Sequence, residues 1–136
     1  MGKGAGKPPN AAHPCRVVAR DPRPSRPAYL LRTTYASEED ARKCARELIE
    51  RRLAACVHVS RVHSTYRWQG AVEGHEEWML EARIARSMFR PTTLRAAAAY
   101  LRSTHPYELP LIELLGSVVT ADYGRWADRE LKAAKA

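Results

Sequence analysis

A chain of 136 residues, 45% of them apolar, is long enough to bury one hydrophobic core and too short for two independent domains. No run of 18 apolar residues occurs, so we expect no membrane partner that requires a spanning helix. The formal net charge of +8 is concentrated in residues 1–27, where six Lys/Arg and one Asp give +5. The remainder of the chain is only mildly basic, which disfavours nucleic acid as a partner.

Residues 1–27 contain six of the nine prolines and three of the seven glycines, a composition that disfavours packed structure. We therefore predict a basic, mostly disordered tail over residues 1–27 and a single domain over residues 28–136. Within the tail, only the stretch from Cys15 to Ala19 has the composition of a weakly paired strand. The N-terminus lacks the continuous apolar core of a signal peptide.

Three cysteines, Cys15, Cys44 and Cys56, lie on three different predicted segments and show no CxxC spacing. An odd number with this distribution argues against a disulfide framework or a zinc finger. Reduced thiols favour a cytoplasmic protein.

The first elements follow from periodicity and capping. The stretch from Ala28 to Tyr35 alternates as a strand does. Ser37 and the acidic turn after it mark a helix start. The helix has an apolar face at helical spacing, formed by Ala41, Cys44, Ala45, Leu48, Ile49 and Leu53.

A long β-rich run follows from Ala55 to Trp68, well beyond the usual strand length of about five or six residues. Its apolar residues change phase between Val59 and Val62, which predicts a bulge or kink at Ser60-Arg61. We expect a hairpin connection over Gln69 to His75 and a second alternating strand from Glu76 to Arg86.

The remaining elements complete an α+β order. A helix starts at Pro91 with an apolar stripe and ends before Pro106, a strand runs from Leu111 to Val119, and a short helix spans Asp122 to Lys132. The order predicts a ferredoxin-like βαββαβ fold, with a four-stranded antiparallel sheet, two helices on one face and a C-terminal helix. The other face has no covering element in this scheme, and we interpret it as a subunit interface.

The tract from His105 to Pro110 is the most unusual local sequence. Two prolines hold its backbone extended and rigid. His105, Tyr107 and Glu108 supply polar groups on this segment, which makes them candidates for binding a ligand. The alternative is a stiff linker whose tyrosine packs and whose histidine caps the preceding helix.

Other candidate groups are more scattered. Cys56 and His58 lie on one predicted strand face, but three or four ligands are needed for copper or zinc, and such a cysteine is more often a small buried apolar group. A nucleophile pair of Cys56 with His105 has no supporting signature, so we expect no enzyme. Four aromatic residues are candidates for lining a cleft: Tyr66, Trp68, Trp78 and Tyr107. The alternative is that they pack in the core or in an interface, as aromatic residues on strands more often do.

Several segments in the same order resemble the CutA family of divalent-cation tolerance proteins. They are the run Leu53 to Val57, the run Ser64 to Gly70, Glu76-Glu77, the run His105 to Pro110, and Asp122-Tyr123 with Trp126. The resemblance implies a ferredoxin-like protomer in a homotrimer similar to the PII signalling proteins, with the long hairpin reaching a neighbouring subunit. It also implies a cytoplasmic, non-enzymatic protein linked to copper tolerance.

The resemblance places a cleft for a small ligand or metal ion between subunits. Its residues here are Cys56, Tyr66, Trp68, Glu77, Arg83, Tyr107 and Glu108. The metal ion that the resemblance implies is copper or another divalent cation. Positions assigned to copper in some members correspond to Thr33, Thr104 and His105, of which only His105 suits a soft metal. The alternative is a PII-like sensor of an anionic metabolite, bound through Arg32 and Arg83.

The chain departs from the family pattern in several places. The long strand is one residue short at Ser60-Arg61, the connection from Arg86 to Pro91 is longer, and Leu111 stands where a glutamate is common.

Overall fold

The computed structural model describes residues 24–85 and 91–132. Seven elements follow one another in the order β1 (Pro24–Tyr35), α1 (Glu38–Glu50), β2 (Cys56–Trp68), β3 (Ala71–Ala85), α2 (Pro91–Thr104), β4 (Glu113–Thr120) and α3 (Ala121–Leu131). The strands form one antiparallel sheet in the order β2-β3-β1-β4. The predicted ferredoxin-like fold is therefore confirmed. Strand β1 begins at Pro24 instead of Ala28, while the expected weak strand from Cys15 to Ala19 lies outside the described residues.

Helix α1 begins where the sequence predicts it. Ser37 is extended, and its hydroxyl accepts a hydrogen bond from the Asp40 backbone N–H at 3.1 Å. Three acidic side chains in the first turn suit the positive end of the helix dipole. At the other end Arg52 adopts a positive φ of 56°, and Leu53 N–H donates to the Leu48 carbonyl at 2.8 Å, which ends the helix.

Removal of this cap should weaken the helix measurably. We expect Ser37→Ala to lower the free energy of unfolding by about 1 kcal/mol, because the Asp40 N–H loses its acceptor. Ser37→Asp, which restores an acceptor, should recover most of that loss in urea unfolding. Equal stability of wild type and Ser37→Ala would show that the cap contributes nothing.

The core lies between the sheet and helices α1 and α2. Because side chains alternate along a strand, Leu31 and Tyr35 of β1 share a face with Leu80, Ala82 and Ile84 of β3. This face packs on the apolar sides of both helices, which supply Ala41, Cys44, Leu48, Ala97 and Leu101. We call it the helix face of the sheet.

The predicted bulge in β2 is wrong. Residues 56–68 pair with residues 71–83 without a shift, so side chains alternate regularly along the whole hairpin. Val57 and Val59 lie on the helix face, whereas Val62, Tyr66 and Trp68 lie on the opposite face. The apolar residues move from odd to even positions where the hairpin extends past the body of the domain. Apolar contacts come from the helix face before that point and from the opposite face beyond it.

The hairpin turn is also tighter than expected. Gln69 and Gly70 have φ values of 47° and 83°, as a two-residue turn with positive φ at both central positions requires. Strand β3 therefore begins at Ala71 instead of Glu76. Gly74, which indicated a loop in the sequence, instead lies in the strand opposite Thr65.

The face opposite the helix face is covered at one end, contrary to expectation. Helix α3 contacts β1, β3 and β4. A small cavity between helix and sheet is lined by Ala28 and Ser117 from this face and by Tyr123 and Ala127 from α3. Small residues at three-residue spacing, Ala121, Gly124 and Ala127, are buried and allow the close approach. We call the uncovered remainder of this side the open face.

Among residues 24–85 and 91–132, no helix has the length and apolarity needed to cross a membrane.

Candidate functional site

A groove of about 700 Å³ runs along the overhanging part of the hairpin, from Glu77 next to the body of the domain to Trp68 beside the Gln69-Gly70 turn. The sequence-predicted residues Tyr66, Trp68, Glu77, Tyr107 and Glu108 all line it. They come from β2, β3 and the segment between α2 and β4. We call this site the hairpin groove. Five of the predicted cleft residues therefore border one groove although they span more than 40 positions of the chain.

Tyr107 and Glu77 form the polar centre of the groove. The phenol donates a hydrogen bond to Oε1 of Glu77 at 2.7 Å. Burial, and then the neighbouring Glu77 carboxylate, raise the pKa of Tyr107 well above its usual range. The phenol therefore stays protonated at neutral pH and remains a donor to the carboxylate.

His105 holds the segment that carries Tyr107. Its ring stacks on Tyr35 with centroids 4.4 Å apart, and Nε2 lies 2.9 Å from the Thr34 carbonyl oxygen. Nδ1 accepts a hydrogen bond from the Tyr107 backbone N–H at 3.1 Å, so Nε2 carries the proton and donates to Thr34. Burial lowers the pKa of His105, which favours this neutral form. Both ring nitrogens are engaged within the chain.

Cys56 and Arg83, also predicted for the cleft, lie elsewhere. They face each other across β2 and β3, six residue pairs from Val62 and Glu77, which is about 20 Å along the strands. The Cys56 sulfur is 3.6 Å from Nε2 of His58. Tyr123 of α3 reaches this thiol; burial and then the thiol raise the pKa of Tyr123 to about 12. The predicted cleft is thus two separate regions within one chain.

The described residues of one chain do not fit a resident metal ion. Among the described residues, no three His, Cys, Asp or Glu side chains are grouped so that they could hold one. At the positions expected for copper, the Thr104 hydroxyl donates to the Tyr100 carbonyl at 2.8 Å, Thr33 is fully buried, and His105 has both nitrogens engaged. Hydroxyl groups are also poor ligands for a soft metal.

Sequence reasoning missed part of the groove. His75, Leu109 and Leu111 line it as well, and the Tyr66 and His75 rings are 5.9 Å apart. The position of His75 was predictable from the sequence, because a two-residue turn at Gln69-Gly70 sets a strand register that places His75 next to Tyr66. A second cavity of about 220 Å³, between α1 and α2 near Cys44 and Tyr100, had no sequence signal.

Comparison with known proteins identifies the family. The family model described as CutA1 divalent ion tolerance protein matches residues 29–130. The chain belongs to this family. The CutA divalent-cation tolerance protein of Thermotoga maritima is 33% identical over 100 residues, covering 71% of this chain and 92% of the relative.

Solved structures agree with this assignment to the CutA family. CutA from Synechococcus elongatus PCC7942 superposes with a TM-score of 0.73 at 31% identity, covering 81% of this chain and 95% of that one. The same cyanobacterial protein complexed with a Bis-Tris molecule gives a TM-score of 0.67 at 29% identity, covering 79% and 97% of the two chains. The present CutA chain is therefore a divalent-cation tolerance protein by family, with the fold of its relatives.

Proposed function

We propose that this protein is a cytoplasmic, non-enzymatic homotrimer that supports copper tolerance by binding a small ligand or metal ion in clefts between subunits. The hairpin groove carries this proposal. Each cleft would combine the groove of one protomer with a surface of its neighbour. The Cys56 and Arg83 region would form a separate part of the intersubunit surface.

The lining of the groove supports ligand binding. Tyr66 and Trp68 are 42% and 46% exposed in a single chain, although large aromatic side chains are usually more deeply buried. The rings form one wall of a concave site, and the hydrogen-bonded pair of Tyr107 and Glu77 supplies fixed polar groups. Apolar walls with a few oriented polar groups are typical of small-molecule sites.

The edges of the sheet support self-association. Strands β2 and β4 are edge strands. Val118 of β4 and Val72 on the overhanging hairpin are 62% and 67% exposed, and both lie on the helix face beyond the cover of the helices. The trimeric state itself, similar to that of PII proteins, comes from the family resemblance.

Two further observations support a cytoplasmic protein without catalysis. Cys44 and Cys56 are free thiols. Cys56 and His105 do not pair, because the Thr34 carbonyl that binds His105 lies opposite Met79 and hence Ser60, about 13 Å along β2 from Cys56. Among the described residues His58 is close to the thiol, but it is exposed and has no other partner to orient it.

The geometry favours this function over the sensing of an anionic metabolite. Arg32 already pairs with Glu81 at 3.8 Å and with Glu113 at 3.5 Å. Neither Arg32 nor Arg83 lines the hairpin groove. The part of the groove that residues 24–85 and 91–132 of one chain line therefore offers an anion none of the Lys or Arg partners that such a site requires.

A thermal-shift screen of divalent metal ions, nucleotides, organic acids and amines tests the groove. We expect at least one compound to raise the melting temperature of wild type and to lose its effect in Trp68→Leu. Trp126→Leu, the same change outside the groove, is the matched control. If no compound gives a Trp68-dependent shift, the hairpin groove is not a ligand site.

Copper titration under reducing conditions separately tests the hypothesis that the protein binds a metal ion. Wild type is compared with His105→Ala and Cys56→Ala by calorimetry. Equal copper affinities for all three proteins would remove both residues from any copper site.

A further inference from the structure

The charges of the hairpin groove restrict the class of ligand. Three carboxylates line it, Glu76, Glu77 and Glu108, and no Lys or Arg from residues 24–85 or 91–132 does so. Glu76 is compensated by an ion pair with Arg61. Arg102 donates to the backbone carbonyl of Glu108, and the Glu108 carboxylate has no ion-pair partner among the residues that the structure describes. In a chain of net charge +8, this local reversal of sign favours a cation over an anion.

Glu77 is the oriented charge of the site. Its Oε1 accepts the Tyr107 phenol hydrogen at 2.7 Å, which fixes the carboxylate. Among the described residues, Oε2 has no hydrogen-bond partner and remains available to a ligand. A charged oxygen held in this way attracts a positive group without first having to be ordered.

The aromatic rings select the kind of cation. Tyr66, Trp68 and Tyr107 line the same groove as the carboxylates. The face of an aromatic ring attracts an ammonium group within about 6 Å of its centroid, and tryptophan does so best. A divalent metal ion needs several close oxygen, nitrogen or sulfur ligands, whereas an organic ammonium ion gains from both the rings and the carboxylates.

We propose that the hairpin groove binds an organic cation, a small molecule with a substituted ammonium group that contacts the Tyr66 and Trp68 rings and is attracted by the Glu77 and Glu108 carboxylates of the same groove. This inference rests on the proposed function, because it names the ligand class of the same groove. It also predicts that binding weakens as salt concentration rises.

Calorimetric titration of the full-length protein tests the charge requirement. The probes are choline, its neutral isostere 3,3-dimethyl-1-butanol, and citrate as an anion. We expect choline to bind at least tenfold more tightly than the neutral isostere, and citrate to bind least. Spermidine, a second ammonium probe of different shape, should also bind.

Variants then locate the site. Trp68→Leu should weaken choline binding by about 2-fold to 30-fold, the range of a cation–π contact. Glu77→Gln keeps the shape and removes the charge, and it should weaken choline but leave the neutral alcohol unaffected. Glu50→Gln, on the exposed surface of α1, and Trp126→Leu are the controls and should bind choline like wild type.

The outcomes separate the ligand class from the existence of the site. Trp68-dependent binding of citrate or of the neutral alcohol, equal to or tighter than that of choline, overturns the cation and leaves the ligand groove standing. Choline binding that is unchanged in both Trp68→Leu and Glu77→Gln places the ligand elsewhere and overturns the inference. Failure of both choline and spermidine to bind also overturns it, and the thermal-shift screen then decides independently whether the groove binds any ligand.

Discussion

Replacing Leu48 with alanine should lower the free energy of unfolding by about 2–5 kcal/mol, a large share of the stability of a small domain. Leu48 is fully buried on α1 and belongs to the cluster formed with the helix face of the sheet. Truncation removes apolar contacts and leaves a cavity that close-packed neighbours fill only in part. Urea unfolding followed by circular dichroism measures the change.

The adjacent residue provides a matched control. Ile49 contains the same number of atoms as Leu48 but is 41% exposed. We expect Ile49→Ala to cost less than about 1 kcal/mol, because little apolar area is lost and alanine favours the helix. Similar losses for both variants would contradict the assignment of Leu48, and not Ile49, to the core.

Local patterns predicted the fold well where one physical cause acts at a time. The cap at Ser37 and the apolar side of α1 depend on neighbours within one or two turns, and both were predicted, although Ile49, expected on that side, is 41% exposed. The phase change between Val59 and Val62 was misread, because an inserted residue and a change of the contacted face give the same sequence pattern. Only the length of the overhang relative to the helices separates these causes, and that length depends on packing of the whole domain.

The candidate site shows the same division. Tyr107 and Glu108 lie in one short tract, while Tyr66 and Glu77 become neighbours through the regular register of a hairpin. Cys56 lies on the same side of β2 as Tyr66 because both are even-numbered, but ten residues separate them along the strand. A shared face does not imply a shared site. The sequence did not predict that α3 covers one end of the sheet. This position depends on close packing of the buried Gly124 against the sheet, and a single glycine in a helix is a weak signal of such packing.

Placing a charge on the hairpin should dissociate the proposed trimer. Val72 is 67% exposed in one chain, on the part of β3 that extends past the helices. If this hairpin packs on a neighbouring subunit, Val72→Asp buries an unpaired carboxylate, which costs several kcal/mol at each of three equivalent contacts. Since 1.4 kcal/mol changes an equilibrium constant tenfold, a trimer stable at micromolar concentration should become a monomer.

Light scattering coupled to size exclusion measures the result directly. Wild type should have three times the mass of the chain, and Val72→Asp should have the mass of one chain with an unchanged circular dichroism spectrum. Ala99→Asp, an equal charge on the exposed surface of α2, is the control and should remain trimeric. A monomeric wild type would refute the trimer, whereas a trimeric Val72→Asp would mean that subunits associate through surfaces other than the hairpin. Because the hairpin groove runs along the same hairpin, choline titration of a folded Val72→Asp monomer would further show whether ligand binding requires the neighbouring subunit.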